Sequence, residues 1–312
     1  MNRAARLISG GTAALSSYLL LRGIHSTVLS GLQMLGAHHR INGENPISFC
    51  NVFFFSSLVT GVIALAKGAG SIQAEIEGLR SSTRVLVAID ASLGYTLAPL
   101  SYYLTLAHLN VSIQTLLFSL VIPLSAMMAR VSIDQALPKK YWLSTALIGA
   151  GLVPLAMARG PVADLGIDPI GLMWAGVSIA SYSASSVTNN YLSRQGVSKS
   201  ILVGVESMAA AIVFAIIALW QYGPHHFLYL EWWWVLSVVG GYAILLPLGI
   251  RYLFIQCNQA LSVATIGLWS SLCVPIAIGT AAVFLGQAVS AGVAVGSLLT
   301  VSGIAIANRK SS

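Results

Sequence analysis

The chain has 312 residues, 56% of them hydrophobic and only 8% charged, with a formal net charge of +7. A soluble domain carries about 25% charged residues, so these residues cannot cover a water-facing surface and the chain belongs in a bilayer. Its basic residues punctuate the ends of apolar runs instead of clustering, which argues against a nucleic-acid partner and for the topology signal of a multi-pass protein.

Arg3 and Arg6 precede an apolar run that has the outline of a signal peptide. No small-x-small cleavage site follows and a second apolar run starts soon after, so the run reads as a first transmembrane helix. A crossing helix needs about 20 apolar residues. On that measure ten spans are expected, near 10–34, 47–66, 85–107, 111–130, 141–158, 169–192, 201–220, 233–256, 263–285 and 289–308. The fold class is all-α, because lipid leaves no partner for open backbone groups and the alternating pattern of a barrel is absent. Gly68 to Arg84 is the longest soluble piece, and a short surface helix is expected there. Tyr141 and Trp142 open the fifth span and Trp232, Trp233 and Trp234 precede or open the eighth, as interfacial aromatics do.

With the N-terminus inside, the cytoplasmic ends hold Arg3, Arg6, Lys67, Arg80, Arg84, Arg130, Lys139, Lys140, Arg194, Lys199, Arg309 and Lys310, against Arg40 and Arg159 outside. Both termini are therefore expected in the cytoplasm. A bacterial inner membrane is the default compartment, and an organelle membrane would leave the same pattern.

The stretch Leu109 to Arg159 recurs without a gap at Leu261 to Ser311. Leu109 falls on Leu261, Ser119 on Ser271, Pro123 on Pro275, Gln135 on Gln287 and Gly151 on Gly303, while flanking charges such as Lys139 and Lys140 do not repeat. A repeated apolar pattern with swapped charge is expected of two copies inserted in opposite senses. The chain thus reads as one integrated transmembrane domain of two inverted five-helix repeats, 1–160 and 161–312, with the site near the midplane between them.

The runs AHLNVSIQTLLFSLVIPLSAMMARVSIDQALPKKYWLSTALIGAGLVPLAM and NQALSVATIGLWSSLCVPIAIGTAAVFLGQAVSAGVAVGSLLTVSGIAIA carry a resemblance. Each leads through small residues to a mid-helix proline, a short polar turn and a helix ending in glycine. This is similar to the EamA-type repeat of the drug/metabolite transporter superfamily, clearly over the last three spans of each half and by position over the first two. Lys139 and Lys140 stand where that family often has an acidic-basic pair. The resemblance implies alternating-access transport of small metabolites.

Candidate residues follow from cost, since an ionisable group inside a bilayer usually faces a wet cavity or a partner. Arg22 and Arg251 are candidates for substrate contact, with Glu206 as a coupling group or the partner in an ion pair. Asp90 lies close enough to the cytoplasmic end to read as plain interface. Tyr102, Gln114, Asn190 and Trp269 are further substrate-binding candidates, for their flat walls and hydrogen-bonding handles. Each of them also suits an ordinary interhelical hydrogen bond. Pro123 and Pro275 are candidate hinges. Two arginines against one deep acid hint at an anionic or zwitterionic substrate. Gly292 and Gly296 form a small-residue seam for packing within the chain or between two copies in a homodimer.

Cys50, Cys257 and Cys273 have no metal-like spacing, and the pairs His38–His39 and His225–His226 read as solvated loops. No metal, cofactor or ATP-binding motif is expected, and the chain does not read as an enzyme. The favoured reading is a secondary transporter of a small organic metabolite, amino-acid-like or otherwise zwitterionic or anionic, by export or exchange. A nucleotide-sugar or phosphosugar antiporter is the alternative within transport, and a non-transporting membrane scaffold the alternative of another class. Coupling to protons and counter-exchange both stay open.

Overall fold

Four helices of this chain start where a side chain replaces a missing backbone partner, and the computed structural model describes residues 3–137, 140–152 and 168–308. In chain order the helices are α1 (Arg3–His38), α2 (Phe49–Gly68), α3 (Ile72–Gly78), α4 (Ser81–Asp90), α5 (Ala98–His108), α6 (Val111–Phe118), α7 (Val121–Ile133) and α8 (Tyr141–Ala150). After the second described break come α9 (Pro169–Arg194), α10 (Glu206–Gln221), α11 (Trp233–Ala243), α12 (Gly249–Ala260), α13 (Val263–Ser270), α14 (Cys273–Leu285) and α15 (Ala291–Asn308). Wider π-helical turns at Ala91–Leu97, Ser200–Val205 and Ile244–Leu248 join α4 to α5, enter α10 and join α11 to α12.

Caps explain the starts. Ser48 accepts from the Asn51 N–H, Asn110 from Ile113, Asp168 from Ile170 and Ser262 from Thr265, each satisfying one orphan donor of a first turn. Asp134 and Gly286 end α7 and α14 in the left-handed region, at φ 50° and 63°. That conformation costs a glycine nothing, and aspartate is among the few other residues that adopt it.

Prolines explain the internal breaks. Pro123 cannot donate to the Ser119 carbonyl, so the Ile122 N–H takes that carbonyl at 3.1 Å and the Ser119 hydroxyl turns back to Leu116 O at 2.6 Å. The same arrangement recurs with Pro275, where Val274 N–H meets Ser271 O at 3.1 Å and the Ser271 hydroxyl meets Leu268 O at 2.6 Å.

Among the described residues six stretches are long and apolar enough to cross a membrane: Phe49–Gly68, Ser81–His108, Val111–Ile133, Ser200–Gln221, Trp233–Ala260 and Val263–Leu285. The remaining expected spans fall on α1, α8, α9 and α15. α9 is 26 residues long but carries a row of buried serines and asparagines, which lowers its hydropathy because that face meets other helices and not lipid. α8 runs for ten residues, and the rest of the expected fifth span lies outside the described residues. So do Lys139, Arg159, Asp164, Arg309 and Lys310, and the side chains of Arg3 and Arg6. The expected surface helix is α3, which buries no residue.

Packing is reciprocal. α1 lies against α12 and α14, and α9 against α5 and α7; α2 packs on α10, and α8 on α15. Two glutamines cross between the copies. Gln135 accepts from the Val263 N–H at 3.2 Å, and Gln287 accepts from the Val111 N–H at 3.2 Å. Gly151 and Gly296 meet backbone to backbone, where a Cβ on Gly296 would fall 2.4 Å from Gly151 O. The glycine seam is thus used within the chain at Gly296.

Candidate functional site

α1, α2, α5, α6, α7, α9, α12, α13 and α14, with the π-helical turn before α5, wall a cavity of about 190 Å³ in the middle of the bundle. That is room for roughly ten waters or one small organic solute. Its wall recurs at helical spacing: Tyr18, Arg22 and His25 on α1, Tyr182, Ser185, Ser186 and Asn189 on α9, and Ile250, Arg251, Phe254 and Asn258 on α12. Residues three and four apart share one face of a helix, so each of these helices turns a single face to the cavity. Ser119 and Ser271, the two serines beside the proline breaks, also line it.

Arg22 dominates one side. Its guanidinium carbon lies 4.9 Å from the Tyr182 ring centre, 5.1 Å from Phe118 and 5.5 Å from Tyr102. Arg251 lies 3.4 Å from the centre of the Tyr95 ring. Cation–π contacts of this kind are each worth about 0.5–2 kcal/mol. Neither arginine is in an ion pair within 4 Å among the described residues, so aromatic faces hold two cations without cancelling their charge. His25 bonds the Tyr242 hydroxyl at 3.0 Å through Nε2, and its buried Nδ1 has no partner.

The expected site residues divide. Arg22 and Arg251 line the cavity, and Tyr102 is buried against Arg22. Asn190 is spent on structure: it donates to Asn258 Oδ1 at 3.0 Å and Leu261 O at 3.2 Å, and accepts from Gln135 Nε2 at 2.5 Å. Gln114 is fully buried away from the cavity wall, with both ends of its amide unpaired. Trp269 is 36% exposed on the outer face of α13, because Gly267, Ser270 and Ser271 occupy the cavity face of that segment. Pro123 and Pro275 sit in the first turns of α7 and α14, just after the breaks.

Other expectations are corrected. Asp90 is not an exposed group at a span end. It is wholly buried, with Ser185 Oγ donating at 2.5 Å and Asn189 Nδ2 at 3.0 Å. Glu206 does not close an ion pair with Arg251 among the described residues; its carboxyl is buried facing Asp90 and Tyr95. The pair His225–His226 is not simply solvated. Both rings meet Glu44, at 3.1 and 2.9 Å, and the buried His226 also meets Ser48 Oγ at 2.7 Å. Those hydrogen bonds hold Glu44 below the usual carboxylate range, while burial pulls His226 below the ordinary imidazole range.

Tyr182 and Ser185 were missed as site residues. Their signal was legible as polar residues at three- and four-residue spacing with Asn189 inside an otherwise apolar span.

Helical spans around a central cavity define an integral membrane protein of the all-α class. No family model matches the chain. It is 30% identical over 263 residues to a protein of Synechocystis sp. named Uncharacterized transporter sll1164, an overlap of 75% of this chain and 70% of that one. The chain belongs to that protein's family. A solved crystal structure matches at a TM-score of 0.65 with 18% identity, over 96% of both chains, a likeness of fold alone.

Proposed function

We propose that the chain is a secondary transporter that moves a small anionic or zwitterionic metabolite by alternating access. The observation that carries this is the central cavity with two arginines on its wall and no ion pair to either. A charge inside a bilayer costs at least about 2.5 kcal/mol. A cation kept there with no carboxylate within 4 Å among the described residues suits a solute that brings an anionic group to it. Arg22 and Arg251 bind that group, and Tyr102 and Tyr182 form the flat wall beside it.

The architecture in this reading is ten transmembrane helices in two inverted five-helix repeats, 1–160 and 161–312, of the EamA type. It is supported by the matching bounds of α6 with α13 and of α7 with α14, and by the exchanged glutamine bonds. Alternating access then consists of loosening one glutamine contact and tightening the other, with Pro123 and Pro275 as the hinges. The bias of lysine and arginine places the Gln135 end and both termini in the cytoplasm, by default of a bacterial inner membrane.

Reconstitution tests this. Liposomes containing the purified protein, offered pooled labelled amino acids and small organic acids, take up or exchange at least one of them. Arg22→Ala and Arg251→Ala abolish that flux while the proteins still elute as folded species. A cavity that binds and moves none of these solutes, or full flux in both variants, overturns the proposal.

A further inference from the structure

Two acids lie directly behind the cavity wall, on separate helices. Asp90 ends α4 and Glu206 begins α10, and each stands beside a π-helical turn, a distortion frequent at functional sites. Both are fully buried. Asp90 spends its oxygens on Ser185 and Asn189, both of which line the cavity. Glu206 points its carboxyl at Asp90 and the Tyr95 hydroxyl, so an ionised Glu206 would have no N–H or uncommitted O–H among the described residues to accept from. The Tyr95 hydroxyl is already committed to the Leu202 carbonyl. The charged groups facing the pair are Arg251, from α12, and Arg84, which with Glu206 lines a second cavity of about 240 Å³ on the far side.

A buried carboxylate with no donor costs several kcal/mol and takes a proton instead. Two facing carboxyls that share one arginine titrate as a unit and cannot both stay ionised. The donors settle which one is charged: Asp90 has two, and Glu206 has none. Arg251 then has two competing uses, since its one positive charge can balance Asp90 or a solute's anionic group. When a solute takes it, Asp90 loses its counter-charge and binds a proton of its own. A metal cation is the poorer fit, because the arginine repels it and the Asp90 oxygens are already occupied by donors.

We propose that Asp90 and Glu206 form a proton-binding site coupled to solute binding through Arg251, so that the anion and one proton travel together. This rests on the transport reading for the coupling step, but not for the proton site itself. By linkage, a proton that strengthens anion binding is itself bound more tightly when the anion is present.

Infrared difference spectroscopy on the protein in lipid, between about pH 5 and about pH 8, tests the site without any solute. A buried carboxyl band titrates in the wild type, is lost in Glu206→Gln or Asp90→Asn, and does not respond to sodium at fixed pH. The absence of such a band, its survival in the Glu206→Gln variant, or its displacement by sodium overturns the proposal. In liposomes, accumulation driven by a pH gradient falls at least about tenfold in Asp90→Asn, a cost near 1.4 kcal/mol, while solute exchange without a gradient continues. Equal loss of both overturns the coupling. Should wild-type liposomes move no solute, the transport reading fails, and the infrared result still decides the proton site.

Discussion

The two crossing glutamines look alike but are not energetically equal, and Gln135→Ala against Gln287→Ala measures the difference. Gln135 accepts from Val263 and also donates to the buried Asn190, which in turn holds Asn258 and Leu261. Truncating it removes a helix cap, worth about 1 kcal/mol, and strands the Asn190 oxygen, at about 1–3 kcal/mol. The expected loss is therefore roughly 2–4 kcal/mol. Gln287 bonds only the Val111 N–H, so its truncation costs about 1 kcal/mol. Denaturant titration of the purified protein in detergent reads both losses. Cys257 is fully buried beside Asn258, so with Cys50 and Cys273 replaced by alanine it also reports opening of that end. A loss of about 2 kcal/mol raises an opened population up to roughly thirtyfold, and maleimide labelling of Cys257 accelerates accordingly in Gln135→Ala alone. Equal stability losses, or equal labelling rates in the two variants, refute the reasoning.

Three more outcomes are expected. Gly296→Ala forces a Cβ to within 2.4 Å of Gly151 O, an overlap against backbone that costs about 1–3 kcal/mol. Gly149→Ala, which meets nothing within 4 Å, leaves the unfolding midpoint unchanged, and equal midpoints for the two variants would contradict the packing. Trp269→Phe leaves solute flux at the wild-type level, since that ring faces away from the cavity; lost flux would put the ring back in the site. The Glu44–His225–His226 contact weakens in acid. His226, held below its ordinary range by burial, contributes stability that is lost as pH falls from about 6.5. Glu44 is held low by its histidine bonds, and its contribution is lost lower still, as pH falls through its own depressed value. The unfolding midpoint thus drops with acid, and His226→Gln flattens the upper part of that slope; an unchanged slope would refute it.

The frame was legible in the sequence because it is set by local chemistry that repeats. Pro123 with Ser119, and Pro275 with Ser271, dictate breaks wherever the copies lie, and the αL positions Asp134 and Gly286 end helices in both. Side-chain direction was not legible for single residues. Trp269 and Ser270 are neighbours in the chain, but about 100° of helical rotation places one outward and the other on the cavity. Asp90 was misjudged because depth was inferred from distance to a span's end. The π-helical turn after it and the serine and asparagine of α9 bury it instead, and those are tertiary facts. Glu206 and Arg251 are an acid and a base at separate places in the sequence, and the Tyr95 ring takes the guanidinium.

The two copies divide the work between positions that repeat and positions that do not. Under the register that carries Pro123 onto Pro275, α5 ends at His108 where α12 ends at Ala260, and the π-helical turns at Ala91–Leu97 and Ile244–Leu248 fall together. The backbone is thus nearly the same on both sides of the cavity. The side chains at those shared places differ: Asp90 is the counterpart of Tyr242, Tyr95 of Pro247, Pro99 of Arg251 and Tyr102 of Phe254. One copy therefore supplies the acid and the aromatic platform, and the other supplies the cation that rests on it. The repeat is kept in the backbone and broken at these side chains, and Tyr95, Pro99, Tyr242, Pro247, Arg251 and Phe254 all lie on the cavity wall.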